Sequence, residues 1–375
     1  MDQSQKLIDI LKKNSVSFFT GVPDSVLKNF IDLLDKEKNF SHIISANEGL
    51  AVSLAIGNYF ATNKVPLVYM QNSGLGNAIN PLTSIADKKV YSVPLILLIG
   101  WRGAKGEKDE PQHEVMGGIT KQLLNLLKIK YVEISDSYSF IKIKKLILYA
   151  KKFRKPVAIL VKKNFFNKSK KVSKNILENK NLFLRKDVIE ELLRKLPKNA
   201  RIISTTGYTS RELFQLRRDL NINKGIDFYM VGGMGHASSF SNGFSYSAKR
   251  SEKIICLDGD GSFLMHLGSL LFSNILNNKN FKHILINNNI HESVGLQTTN
   301  INKINIKKLI SSFSYKNYFF SNNKKSFKKK INLFLKTDGP SFFEVKVSPG
   351  FIKNLERPKN FIKIRDNFTK KNNVC

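Results

Sequence analysis

The sequence predicts an α/β protein made of two doubly wound, mostly parallel-sheet domains. Three observations carry that expectation. Short apolar runs alternate with helix-period segments over residues 1–163, and the alternation returns over 182–348. A basic, aperiodic stretch, 164–181, separates the two halves and reads as a linker. The glycines, amides and acids that interrupt the apolar pattern follow the strand-like runs, which is where open parallel sheets bind ligands.

In chain order, Leu7, Ile8, Ile10 and Leu11 mark a first helix and 16–20 a short strand. Residues 23–34 read as a helix with Pro23 near its start, a favoured place for proline. Buried strands are expected at 42–45, 66–70, 94–100, 129–134 and 156–161, with helices near 48–61, 75–87, 117–127 and 138–152. In the second half, strands are expected at 201–204, 227–231, 253–257, 283–287 and 341–347. Helices fall near 186–195, 209–217, 236–247, 263–277, 305–312 and 325–336. Residues 349–375 are basic and weakly patterned, and read as a tail or surface arm.

A chain of 375 residues accommodates two domains, and 42% hydrophobic content supports two cores. No run approaches the eighteen or so apolar residues that span a bilayer, and the polar start of the chain lacks a signal-peptide apolar region. The two cysteines, Cys256 in an expected buried strand and Cys375 at the last position, make no disulfide framework. A cytoplasmic location is the expectation. Net charge is +33, but the lysines are spread along the chain, without zinc-finger spacing or an RNA-binding aromatic motif. Most of that charge reads as a solvated surface that draws anionic substrates, and neither a nucleic-acid nor a membrane partner is expected.

The chemistry concentrates in 254–299. An apolar run ends in Asp258-Gly259-Asp260-Gly261, a helix-period segment follows, and a second strand ends in Asn287-Asn288-Asn289. Acid and amide oxygens at two strand ends suit a hard cation such as Mg²⁺, which usually keeps a phosphate partner. Gly259 and Gly261 let the backbone approach that phosphate.

Other candidates also follow expected strands. Glu48 opens a helix after Ser45-Ala46-Asn47, where an acid is often only a favourable dipole contact. Asp24, in Gly21-Val22-Pro23-Asp24-Ser25, caps the next helix or handles protons. Gln71-Asn72-Ser73-Gly74-Leu75-Gly76-Asn77 is a binding loop by position. The loop 100–113 carries Arg102, Lys105 and Lys108, suited to clamping an anion, and His113, suited to moving protons near neutrality. The stretch 204–211, with Gly207 and Thr209, offers hydroxyls and a helix start to diphosphate oxygens. Gly232-Gly233-Met234-Gly235-His236 opens a further helix.

Gly-Asp-Gly followed by the Asn pair resembles the diphosphate and Mg²⁺ site of thiamine-diphosphate enzymes. The strings TGVPDS, ANEG, YMQNSGLGNAINPLTS, LLIGWRG, KDEPQH, TTGYTSRELF, GGMGHAS, LDGDG and IHESVG together resemble the phosphonopyruvate decarboxylases over residues 20–295. Sulfopyruvate decarboxylases are the nearest related activity. The resemblance implies thiamine diphosphate and Mg²⁺ as cofactors, with a pyrimidine-binding domain at 1–163 and a diphosphate-binding domain at 182–348. It implies decarboxylation of 3-phosphonopyruvate to phosphonoacetaldehyde and CO₂, in phosphonate biosynthesis.

Residue by residue, the resemblance places the Glu48 carboxyl against the aminopyrimidine ring of the cofactor. It adds Asn72, Gly207, Thr209, Gly235, His236, Gly259, Gly261 and Ser262 as cofactor contacts, and Met234 as the apolar wedge that bends the cofactor. Asp260, Asn288 and the Ile290 carbonyl become the metal ligands, with Asn287 the other candidate amide. Asp24 and His113 become proton-handling groups, and Arg102, Lys105 and Lys108 substrate contacts. Sites shared between subunits, hence a homodimer or larger homo-oligomer, are implied as well. Two departures stand out: Asn289 and Leu296 occupy positions where the family tends to have glycine.

Overall fold

The computed structural model describes residues 2–136, 138–166 and 182–369. They divide into two compact units: 2–136, 138–166 and 294–297 in one, 182–293 and 298–369 in the other. Most of the expected linker, 167–181, lies outside the described residues, as does Cys375.

Among its described residues the first unit carries six strands, β1 (Phe18–Gly21), β2 (Ser41–Ile44), β3 (Leu67–Gln71), β4 (Ile96–Trp101), β5 (Lys130–Ile134) and β6 (Val157–Lys162). They form one sheet in the order β2-β1-β3-β4-β6-β5, and every pairing is parallel. Its helices are α1 (Gln3–Lys13), α2 (Lys28–Leu34), α3 (Glu48–Thr62), α4 (Leu75–Thr83), α5 (Pro111–Leu126) and α6 (Ser139–Phe153). The sheet separates two apolar clusters. Leu7, Phe30, Ile96, Leu98 and Ile147 pack in one, and Val52, Met70, Leu97, Ile99 and Leu160 in the other. Because β4 is buried on both faces, it is an unbroken apolar run rather than an alternating one. Each buried Leu or Ile there contributes about 1.5–3 kcal/mol.

The second unit repeats the plan. Its strands are β7 (Ala200–Ser204), β8 (Ile226–Tyr229), β9 (Lys253–Gly259), β10 (Phe281–Asn287), β11 (Asn317–Ser321) and β12 (Ser341–Lys346), in the all-parallel order β11-β12-β10-β9-β7-β8. Its helices are α7 (Arg185–Lys195), α8 (Tyr208–Asp219), α9 (Ala237–Ser247), α10 (Asp260–Met265), α11 (Leu270–Leu276), α12 (Ile306–Ser311), α13 (Lys324–Lys336) and α14 (Phe361–Thr369). Doubly wound α/β architecture is thus present in both halves, and the sheets are wholly parallel. Among the described residues no helix is long and apolar enough to cross a membrane.

Several elements differ from expectation. Strand β11 falls in a segment with no expected strand; it is a five-residue edge strand pairing only with β12, so its pattern is short. The helix expected over 263–277 is broken at His266, whose backbone (φ −136°, ψ 60°) leaves the helical region, and Leu267–Ser269 form a 3₁₀ turn. Helix α2 begins at Lys28, not at Pro23, and α5 begins at Pro111, earlier than expected, with proline again at a helix start. His113 therefore sits in the first turn of α5 rather than on a loop. The stretch expected as a tail contains α14, whose Phe368 is 2% exposed and packs with Ile203 and Ile254.

Candidate active site

Each sheet has a point where strand order reverses: between β1 and β3 in the first unit, and between β7 and β9 in the second. Beyond such a point the two flanking loops part and leave a crevice. In both units a side-chain hydrogen bond joins the loops across it.

In the first unit that bond runs from Gln71 Nε2, at the end of β3, to Asp24 Oδ2 at 2.8 Å. Asp24 is 1% exposed, and its Oδ1 accepts from Val26 N at 2.9 Å. It therefore closes a turn two residues on and does not cap α2, whose N-cap is Leu27. Gly100 allows this approach, since a Cβ there would stand 2.1 Å from Asp24 Oδ1. Burial raises the Asp24 pKa, although Gln71 and Arg102 pull the other way.

Glu48 is the first residue of α3. Asn47 caps that helix, its Oδ1 accepting from Gly49 N at 2.8 Å, which leaves the Glu48 side chain free of capping work. The Glu48 carboxyl is buried, and its Oε2 accepts from Asn77 Nδ2 at 2.7 Å. Burial raises its pKa. A proton is thus easier to hold on Glu48 than on a solvated carboxylate.

Asn72 makes three hydrogen bonds within the fold. Its Nδ2 donates to Arg102 O at 2.9 Å and to Thr120 Oγ1 at 3.0 Å, and its Oδ1 accepts from Arg102 N at 3.1 Å. Both amide hydrogens are occupied within the fold, so Asn72 pins the end of β3 to the end of β4 and to α5. Arg102 is likewise engaged. Its Nε donates to Asp109 Oδ2 at 2.7 Å, its Nη2 to Asp109 Oδ1, and its Nη1 to Ser25 Oγ at 3.2 Å. Burial alone would raise the Asp109 pKa. Arg102 and the Gly103 and Glu110 N–H groups outweigh it and hold that carboxyl below the ordinary range. Lys105 and Lys108 are exposed, and His113 is half-buried against Gly103.

In the second unit, Thr205 Oγ1 donates to Ser262 Oγ at 2.8 Å, joining the β7 and β9 loops. Gly235 N donates to the same Ser262 oxygen at 3.1 Å. One hydroxyl oxygen thus ties three loops, and the Ser262 hydroxyl hydrogen remains to donate elsewhere. Gly207 (φ +94°) and Gly235 (φ +86°) hold backbone conformations that side-chain-bearing residues rarely adopt. Gly207 opens α8, and Thr209 is buried in its first turn. The Met234 side chain reaches Gly261, where a Cβ would lie 3.3 Å from Met234 Cε and 2.6 Å from His291 Cε1. His236 stacks on His266, ring centroids 4.6 Å apart, and His266 Nε2 is buried with no hydrogen-bond partner among the described residues.

Asp260 is 4% exposed; its Oδ1 accepts from Gly261 N at 2.8 Å and its Oδ2 from Thr299 Oγ1 at 3.3 Å. Burial pushes its pKa up to about 6. Asn287 lies inside the sheet and donates to Glu344 Oε1 at 3.2 Å. Asn288, one residue on, stands at the strand end. Its Oδ1 accepts from Ile290 N and its Nδ2 donates to Glu292 Oε2, both at 3.2 Å. Asp260 and Asn288 offer oxygens, as does the Ile290 carbonyl, the donor type that Mg²⁺ takes. Asn289 (φ +61°) and Leu296 (φ +69°), the two departures from glycine, both hold left-handed backbone.

Several partners were not singled out from sequence: Gln71 for Asp24, Asn77 for Glu48, Thr205 for Ser262, and Thr299 for Asp260. His291, which burial pushes down to about 4, and Glu292 join them. Short polar residues at these spacings carry no signal of their own, whereas Gln71 and Asn77 do lie inside a loop recognised as a binding stretch.

Comparison with known proteins agrees with this architecture. The N-terminal TPP binding domain of thiamine pyrophosphate enzymes matches residues 1–124, and their C-terminal TPP binding domain matches 205–345. Phosphonopyruvate decarboxylase of Streptomyces viridochromogenes is 29% identical over 359 residues, covering 92% of this chain and 88% of that one. Sulfopyruvate decarboxylase of Methanosarcina acetivorans is 30% identical over 321 residues, covering 80% of this chain and 79% of that one. Sulfopyruvate decarboxylase subunit alpha of Methanocaldococcus jannaschii is 32% identical over 163 residues, 43% of this chain and 93% of that subunit. The chain belongs to the thiamine pyrophosphate (thiamine diphosphate) enzymes. Within them it is a decarboxylase, a carboxy-lyase resembling the phosphonopyruvate decarboxylases over nearly its whole length.

Proposed function

We propose that this carboxy-lyase converts 3-phosphonopyruvate to phosphonoacetaldehyde and CO₂, with Mg²⁺ beside thiamine diphosphate, as a step of phosphonate biosynthesis. The observation that carries the substrate choice is the match to a phosphonopyruvate decarboxylase over 92% of the chain. Net, the bond between the carboxyl and keto carbons breaks, CO₂ leaves, and a proton is added at the former keto carbon. Bound thiamine diphosphate supplies an electron sink for that bond cleavage.

The chain's own residues divide the remaining work. Residues 1–163 serve as the pyrimidine-binding domain and 182–348 as the diphosphate-binding domain. Glu48, buried and inclined to hold a proton, faces the aminopyrimidine ring. Asp24, also buried with a raised pKa, is the donor for the new C–H bond, with His113 as the second proton-handling group. Gly207, Thr209, Gly235, His236, Gly259, Gly261 and the spare Ser262 hydroxyl hydrogen surround the diphosphate, and Met234 forms the wedge. Asp260, Asn288 and the Ile290 carbonyl would hold Mg²⁺; the all-oxygen donor set supports this, and the sheet-bound position of Asn287 favours Asn288. Lys105 and Lys108, both exposed, are the better candidates for the substrate's anionic end. Arg102 holds Asp109 and shapes that loop.

The enzyme works as a homo-oligomer in the cytoplasm. Exposed Leu50 and Leu54, one turn apart on the helix that Glu48 begins, support assembly. The test is a ³¹P NMR time course of phosphonopyruvate with Mg²⁺, with and without thiamine diphosphate. A cofactor-dependent phosphonoacetaldehyde signal is expected. No turnover, with CO₂ released from sulfopyruvate instead, would move the substrate to the second reading, which the 30% identity to a sulfopyruvate decarboxylase favours.

A further inference from the structure

Glu292 belongs to a buried charge cluster that touches the metal loop. Arg185 Nη1 donates to Glu292 Oε2 at 2.8 Å, and Arg185 Nε donates to Glu212 Oε2 at 2.8 Å. Arg185, Glu212 and Glu292 are each less than a tenth exposed. The remaining carboxylate oxygens accept backbone N–H groups, Gly350 N for Glu292 Oε1 and Ile352 N, at 3.0 Å, for Glu212 Oε1. Glu212 and Glu292 thus share the guanidinium of Arg185. A cation bound nearby is attracted by the Glu292 carboxylate. Glu292 Oε2 also accepts from Asn288 Nδ2 at 3.2 Å. That bond puts the amide nitrogen toward Glu292 and leaves Asn288 Oδ1 accepting from Ile290 N at 3.2 Å, with a second lone pair to offer.

We propose that Glu292 is a positioning residue for the divalent cation: anchored by Arg185 and Gly350, it holds the Asn288 carboxamide with its oxygen toward the metal and adds negative charge behind it. The inference rests on the assignment of Asn288 as a metal ligand. Partners one bond behind a metal ligand typically change metal affinity about 10–100-fold.

The test is Mn²⁺ binding to the full chain at saturating thiamine diphosphate, followed by electron paramagnetic resonance, with no turnover required. Glu292→Gln keeps an acceptor for Asn288 but removes the charge, and is expected to weaken Mn²⁺ binding about tenfold or more. Glu292→Leu removes both and should weaken it further. Glu212→Gln is the control, because Glu212 shares Arg185 but does not touch Asn288. It should lower the thermal unfolding midpoint while Mn²⁺ affinity stays within about threefold. Equal loss of Mn²⁺ affinity in the Glu292 and Glu212 variants would make the cluster merely structural and overturn the proposal, as would unchanged affinity in Glu292→Leu. If Asn288→Ala also binds Mn²⁺ like the parent, the ligand assignment itself fails; if only the Glu292 variants do, that assignment stands and the positioning role falls.

Discussion

Gly74 lies so close to Glu48 that a Cβ at position 74 would fall 2.4 Å from Glu48 Oε1. The carboxyl occupies the space a side chain would need, with Asn77 holding its other oxygen at 2.7 Å. Glycine at 74 is therefore required by the neighbouring carboxyl rather than by a turn. Glu48→Gln is expected to bind thiamine diphosphate within a few-fold of the parent and to lose at least about 100-fold in kcat, the scale of a lost proton-transfer group. Gly74→Ala should lower kcat in the same direction by displacing the carboxyl. Titration calorimetry beside steady-state kinetics checks both, and full turnover in Glu48→Gln would remove Glu48 from the chemistry.

On the proposed ligand set, metal dependence runs through Asp260. Asp260→Ala should abolish Mg²⁺-dependent thiamine diphosphate binding, as should a chelator in the parent protein. Cofactor affinity that survives both treatments would place the metal elsewhere.

The same carboxyl sets a pH dependence. Burial pushes its pKa up to about 6 in the folded state, above the ordinary 3.8. In the metal-free protein, stability from Asp260 is therefore fully present below about 3.8 and is lost as pH rises through about 6. Metal needs the ionised form, so the coupling reverses on binding. Mg²⁺-dependent cofactor affinity should fall by up to about tenfold per pH unit below 6 and level off above it. Calorimetry between pH 5 and 8 would show this, and a flat profile would contradict it.

Leu296 holds φ +69° and is 40% exposed, so it carries strain without much compensating burial. Left-handed backbone costs an L-residue about 1–2 kcal/mol, and glycine gives back about half of that through its own entropy. Leu296→Gly should therefore stabilise the protein by about 0.5–1 kcal/mol, raising the unfolding midpoint by a few degrees. Asn289→Gly should be close to neutral, because asparagine tolerates this conformation. Differential scanning calorimetry distinguishes the two.

Leu50→Lys with Leu54→Lys places two charges on an exposed apolar helix face. If that face joins two copies, sedimentation velocity should show a smaller species than the parent, with loss of activity. An unchanged sedimentation coefficient would free the face of that role.

Much of this was legible in the sequence. The buried strand 96–101 shows as an unbroken apolar run because helices cover both faces of a parallel sheet. Glu48, Asp260 and Asn288 stand out as candidates because acids and amides rarely follow apolar strands without reason. What the sequence hid were choices among chemically equal partners. Asn72 looked like a ligand contact, yet Thr120 and Arg102, remote in sequence, take both its amide hydrogens. Arg102 looked like an anion clamp, yet Asp109 in the same loop pairs with it. Strand β11 was missed because an edge strand is short and half-exposed, so no strong period marks it.

The burial of Phe368 has a practical side. Its ring packs on Ile203 and Ile254, in the strands that lead to Thr205 and to Asp260, and its carbonyl accepts from Arg201 Nη1. Replacing the Phe368 ring with a small side chain would pull that plug while leaving every residue of the proposed catalytic site intact. Protein without that plug would then lose shelf life before it lost chemistry.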